Sequence, residues 1–148
     1  MFGKRARRIL RSQEGFTLIE MMVVIILVAA LAAIAVPLYT QYLQQARTAE
    51  ATGMVGAIVA SEKTYNVKNA TFVNAADNAT IKATLGVNLD DAKYFSYSVT
   101  GASATAGVVT ATGLAAAGSD LSTKTITYDL SAKTWGGTAP AWAIPSNS

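Results

Sequence analysis

The 148-residue chain contains no cysteine and no histidine. Without cysteine it has no disulfide framework, no thiol nucleophile and no thiolate metal ligand. Without histidine it lacks the side chain best matched to proton transfer near neutral pH. Acid–base chemistry would then fall to carboxylates, lysines or tyrosines. Asp90 and Asp91 are adjacent, and adjacent residues on an extended chain point apart, so "LDDAKYF" reads as a turn entering a strand. No glycine-rich segment is followed by Lys-Ser or Lys-Thr in the manner of a phosphate-cradling loop. The expectation is a protein that is not an enzyme and carries no cofactor.

Beyond the first 15 residues the chain also lacks any excess of positive charge. Lys4, Arg5, Arg7, Arg8 and Arg11 against Glu14 give that leader a net charge of +4, and the remainder, with 7 basic and 8 acidic residues, carries −1. Direct nucleic-acid binding calls for a clustered basic patch. Lys63, Lys68, Lys82 and Lys93 are scattered instead, so no such binding is expected. Asp120 and Asp129, nine residues apart with Ser and Thr between them, read as solvated turn aspartates rather than calcium ligands.

What the chain does have is a long apolar run. Every residue from Met21 to Val36 is apolar, and from Phe16 to Val36 only Thr17 and Glu20 interrupt it. A helix of that length spans roughly 31 Å, close to a bilayer's hydrocarbon thickness. It is apolar on all faces, which a small domain cannot cover. The basic flank places residues 1–15 in the cytoplasm and the C-terminal part outside it. A secretory signal cut near Ala33-Ile34-Ala35 is the rival reading. The apolar run exceeds a typical signal core, and the helical pattern continues past that point.

Pro37 ends the unbroken run and is expected to kink or loosen the helix, since it lacks a backbone donor. From Leu38 to Val67 a three/four spacing of Tyr39, Tyr42, Leu43, Ala46, Ala49, Val55, Ile58, Val59 and Tyr65 predicts an amphipathic helix. The segment that follows is polar, with a short helix expected around Ala79–Leu85. Then "KYFSYSVT", "GVVTATG" and "KTITYDL" read as strands of an antiparallel meander, with "AKTWGG" as a fourth. The fold class is therefore α+β, a long N-terminal helix packed on a sheet of three to four strands. The expected divisions are a leader at 1–15, a membrane-spanning helix at 16–37, an amphipathic helix at 38–67 and a β domain at 68–148. Trp135 and Trp142 are expected to help hold the C-terminal region.

Glu20 is the residue that needs a reason. A carboxylate in a membrane segment costs about 3 kcal/mol or more. Proximity to a headgroup region is one explanation. A second follows if a protease cuts between Gly15 and Phe16. The helix then starts with a free amine at Phe16, and Glu20 sits one turn in, near the positive end of the helix dipole. The amine of a neighbouring copy becomes its partner, and such a pair sets axial register between sliding apolar helices.

The combination of a basic leader, "GFTLIE", an unbroken apolar run and Pro37 resembles the N-terminus of type IV pilins and the pseudopilins of type II secretion. That resemblance covers roughly residues 1–40. It implies cleavage after Gly15 by a prepilin peptidase, N-methylation of Phe16, and pairing of Glu20 with an adjacent subunit's amine. It also implies a helical homo-oligomeric filament built from the bacterial inner membrane by a pilus assembly machinery, at the cell surface or across the periplasm. A surface pilus, a secretion pseudopilus and a minor or competence subunit share these features. The chain departs from many major pilins in having no cysteine for a C-terminal disulfide. It also lacks the aspartate-rich calcium region of the major pseudopilins. Electron conduction through Phe16, Tyr39, Tyr42 and Tyr65 finds no haem-attachment motif, and their helical spacing reads as packing. Asn69-Ala-Thr71 and Asn78-Ala-Thr80 match a glycosylation pattern that chance often produces.

Overall fold

The computed structural model describes residues 15–147; residues 1–14 of the predicted leader at 1–15 lie outside them. It has a 52-residue helix α1 (Leu18–Asn69), a short helix α2 (Asn78–Leu85) and four strands, β1 (Phe95–Thr100), β2 (Val108–Gly113), β3 (Thr125–Asp129) and β4 (Thr134–Gly137). The class is α+β. The strands form one antiparallel meander in the order β1-β2-β3-β4. The chain divides into two compact units after Leu38.

The first unit is the apolar part of α1. Every described residue of it is exposed, including Phe16 at 81%, Leu31 at 70% and Ile34 at 72%. The helix is long and apolar enough to cross a membrane. Helical assignment runs through Pro37, whose ring nitrogen has no hydrogen to give the carbonyl of Ala33.

The second unit builds a core from one stripe of α1 and one face of the sheet. Ala51, Val55, Ile58, Val59 and Glu62 are buried at helical spacing. Across from them, Phe95, Tyr97 and Val99 alternate with Ser96, Ser98 and Thr100, so β1 turns its large side chains inward. On β2 the small Ala111 stands opposite Tyr97, and Val109 opposite Val99, which keeps the layer filled without crowding. Gly113 permits a close approach. A Cβ there would lie 1.9 Å from the Leu121 carbonyl oxygen.

The predicted helical stripe is partly corrected. Val55, Ile58 and Val59 are buried, but Tyr39, Tyr42, Ala46 and Ala49 are exposed and Leu43 is only marginally covered. The sheet-covering face begins later and is rotated toward Thr48 and Ala51. The cause is polar anchoring. Gln44 Nε2 donates to Asp120 Oδ2 at 2.9 Å and Arg47 donates to the Ala117 carbonyl at 2.8 Å. The Arg47 guanidinium also stacks 5.0 Å from the Tyr94 ring centre. Gln44 and Arg47 thus fix the rotation of the helix on the domain.

Helix α2 starts one residue earlier than predicted and is capped at both ends. Asp77 accepts from Thr80 N–H at 2.8 Å, and Gly86 closes the C-terminus in the left-handed region at φ 70°. Asp77 is held below the usual carboxylate range by the bonds it accepts from Thr80. Asn78, one of the two glycosylation matches, uses its side-chain oxygen to accept from Tyr97 N–H at 2.8 Å. Trp142 does not pin the C-terminal tail, being 42% exposed. Ala139, Ala143 and the partly buried Ile144 do so, with reciprocal bonds between Thr125 and Thr138. Trp135 is half-buried and packs edge-on against Tyr128, with ring centres 5.1 Å apart.

Glu62 is the charged group the core admits. It is fully buried, its Oε2 accepts from Val73 N–H at 3.1 Å, and its Oε1 has no partner. Burial pushes its pKa up, against a smaller opposing effect of the Val73 bond. The folded chain therefore binds more protons than the unfolded chain in the window above the ordinary carboxylate value. Glu62's contribution to stability is greatest below that value and falls as pH rises through the window. Glu62→Gln keeps an acceptor for Val73 and removes the buried charge. Denaturant unfolding at a series of pH values should show the variant gaining on the parent as pH rises from about 4 to 7. Parallel pH profiles for the two proteins would contradict this role.

Candidate assembly site at the start of the long helix

Gly15, Phe16 and Glu20 lie together at the N-terminal end of α1, and Pro37 lies far along the same helix. Gly15 is exposed, and a Cβ on it would touch nothing within 4 Å. Packing among the described residues gives no reason for a glycine there. Phe16 projects into open space beside it.

Glu20 has a partner inside its own chain. Its Oε2 accepts from the Thr17 N–H at 2.8 Å and from the Thr17 hydroxyl at 2.8 Å. In return Glu20 N–H donates to Thr17 Oγ1 at 3.2 Å. The Thr17 carbonyl accepts from Met21 N–H at 3.2 Å, the first bond of the helical ladder. Thr17 is thus the N-cap and Glu20 the third helical residue of a reciprocal capping box. The box satisfies backbone donors that the first turn of any helix leaves open, and it sets a negative charge where the helix dipole is positive.

Around this polar knot the surface is apolar. Phe16, Ile19, Met21, Val23 and Val24 line a shallow groove with Glu20. Such an arrangement suits a neighbouring apolar helix that brings one cationic or donor group. Thr17 is the capping residue that the reading of single positions missed. Its signal was present in Thr17-Leu-Ile-Glu20, the S/T-x-x-E spacing directly before an apolar run.

Other predicted positions do not converge. Asp120 is engaged by Gln44 and Ser119, and Asp129 accepts from Ser131 and Ala132 in its own turn, which keeps it below the usual carboxylate range. Asp90 pairs with Lys82 on the surface. No group of three metal-ligating side chains occurs among the described residues.

The N-terminal geometry coincides with a recognised family pattern. Residues 10–36 match the prokaryotic N-terminal methylation motif. Over 100 residues the chain is 38% identical to fimbrial protein EcpC of Eikenella corrodens, covering 68% of this chain and 62% of that one. It is 33% identical over 78 residues to the type IV major alpha-pilin of Moraxella bovis, covering 53% of this chain and 49% of the pilin. It is 42% identical over 59 residues to the type II secretion system core protein G of Pseudomonas aeruginosa, covering 40% and 42%. The chain is therefore an α+β protein with a methylation-motif N-terminus, and its relatives include fimbrial proteins, a type IV pilin and a secretion core protein. The matched stretches span less than two thirds of these relatives' own lengths.

The capping box makes a prediction of its own. Thr17→Ala removes the hydroxyl that accepts from Glu20 N–H, while Thr17→Ser keeps it. Amide exchange in detergent micelles should accelerate in the first turn of Thr17→Ala by roughly fivefold, corresponding to about 1 kcal/mol for a lost cap, and stay near the parent rate in Thr17→Ser. Equal rates in all three would contradict the cap.

Proposed function

We propose that this chain is the structural subunit of a type IV pilus-like extracellular filament, made as a membrane-anchored precursor. The observation that carries the reading is an apolar helical segment wholly exposed among the described residues, begun by a carboxylate on a methylation motif. Such a surface needs a second environment. The bilayer supplies one before assembly, and copies of the same helix supply one after it. Burial contributes about 25 cal/mol per Å² of apolar surface, so each large aliphatic side chain withdrawn from water contributes on the order of 2 kcal/mol.

In this reading a prepilin peptidase cuts between Gly15 and Phe16, and Phe16 is methylated. The globular unit lies outside the cytoplasm. Glu20 then has two compatible partners, Thr17 of its own helix and the Phe16 amine of an adjacent copy. Gaining the second while keeping the first couples leaving the bilayer to joining the filament in register. Pro37 removes one helical hydrogen bond and gives the packed helix local freedom. The chain acts through assembly, as a homo-oligomer, and not as an enzyme. The partners are further copies, the peptidase and the assembly machinery.

A second reading, a pseudopilin of a type II secretion system, is favoured by one observation. Identity reaches 42% with the secretion core protein over its 59 matched residues. The minor or competence subunit is a variant of the same architecture.

Glu20→Ala tests the register role. The variant should be cleaved and inserted as the parent is, yet yield no ordered filaments by electron microscopy of sheared cell surfaces. Normal filaments from Glu20→Ala would remove Glu20 from assembly.

A further inference from the structure

A four-stranded open sheet has two edges, and each offers unpaired backbone groups to a passing strand. In this domain the β1 edge is covered by the chain's own loop. Ala75 exchanges both backbone bonds with Val99, at 2.7 and 3.0 Å, and the Asn78 side chain takes the Tyr97 N–H. Among the described residues the β4 edge has no such strand beside it.

The sequence of β4, Thr-Trp-Gly-Gly, is guarded by its shortness alone. It contains no charge and no proline, and Lys133 stands just before it. Its exit is tightly folded. Gly137 sits at φ 131°, where a Cβ would lie 2.1 Å from the Thr125 carbonyl oxygen. The N–H groups of Thr138 and Ala139 both turn back to that carbonyl. The open edge is therefore short and centred on Trp135.

At that residue the C-terminal tail returns. Trp135 N–H donates to Asn147 Oδ1 at 2.5 Å, and Asn147 Nδ2 donates to the Trp135 carbonyl at 3.0 Å. One side-chain amide thus makes the pair of bonds that a fifth strand's backbone would make. Both Trp135 groups are used, so both face away from β3.

We propose that Asn147 is an edge plug, and that the surface it closes is a self-pairing edge on which a second copy of this chain adds its own β4. Antiparallel pairing of two β4 edges about Trp135 is self-complementary under a two-fold axis, with Thr134 of one copy opposite Gly136 of the other. Two small, uncharged residues at those positions present no clash to the approach. The plug confines association of the domain to surfaces other than the sheet, and this holds whether or not the chain builds a filament.

The test uses the full chain in detergent micelles. Asn147→Ala removes both bonds, and Asn147→Asp keeps the acceptor for Trp135 N–H. Exchange of the Trp135 amide should quicken roughly tenfold in Asn147→Ala and stay near the parent rate in Asn147→Asp. Because the chain has no cysteine, Thr134→Cys places a single thiol on the edge for a short thiol-reactive crosslinker. Crosslinked dimer should rise severalfold when Asn147→Ala is added to Thr134→Cys. Unchanged Trp135 exchange would overturn the plug. Faster exchange with no gain in dimer, or a gain seen equally with Asn147→Asp, would overturn the self-pairing edge.

Discussion

The apolar first part of α1 is a surface without a cover, and the rest of the molecule is arranged around that fact. From Phe16 to Val36 every side chain is exposed among the described residues. A soluble domain would bury such a stretch or aggregate. Here the covered half of the helix starts only near Thr48, where Ala51, Val55 and Ile58 meet the sheet. One helix thus serves two solvents. Its N-terminal part is dressed for lipid or for other helices, and its C-terminal part for a small globular core.

That division explains the placement of polar groups along α1. Gln44, Arg47 and Thr48 mark the point where the helix first engages the domain. The bonds of Gln44 and Arg47 to the loop around Ala117 and Asp120 fix its rotation ahead of the apolar packing. Glu20, at the other end, is never bare. The capping box keeps its carboxylate bonded within one turn, which lowers the cost of holding a carboxylate in an apolar setting. A carboxylate accepts more than two bonds, so the same group retains capacity for an incoming amine. Assembly can add a partner to Glu20 without first stripping it of one.

Much of this was legible in the sequence, and for physical reasons. The membrane-length run is composition, and composition needs no tertiary information. The four strands came from β-branched and aromatic alternation bounded by Gly, Ser and Asp, and their edges shifted by only one or two residues. The failures share a cause. Tyr39 and Tyr42 fit a helical stripe, but a stripe is buried only where something faces it. Arg47's partner, a carbonyl 70 positions away, has no sequence signature. Glu62 passed unremarked for the same reason, as did Asn147 at the β4 edge. Thr17 differs, since its capping spacing was visible and local. Trp142 shows that a tryptophan near a terminus need not anchor it.

Cleavage at Gly15 is proposed to free the Phe16 amine, and copies of the same helix to bury the uncovered apolar surface. The most direct test is mass spectrometry of the N-terminal peptide from filaments sheared off intact cells. Methylated Phe16 at the start of an abundant filament protein is the expected result. A chain that still carries residues 1–15 in those filaments, or one that begins near Val36, would contradict it.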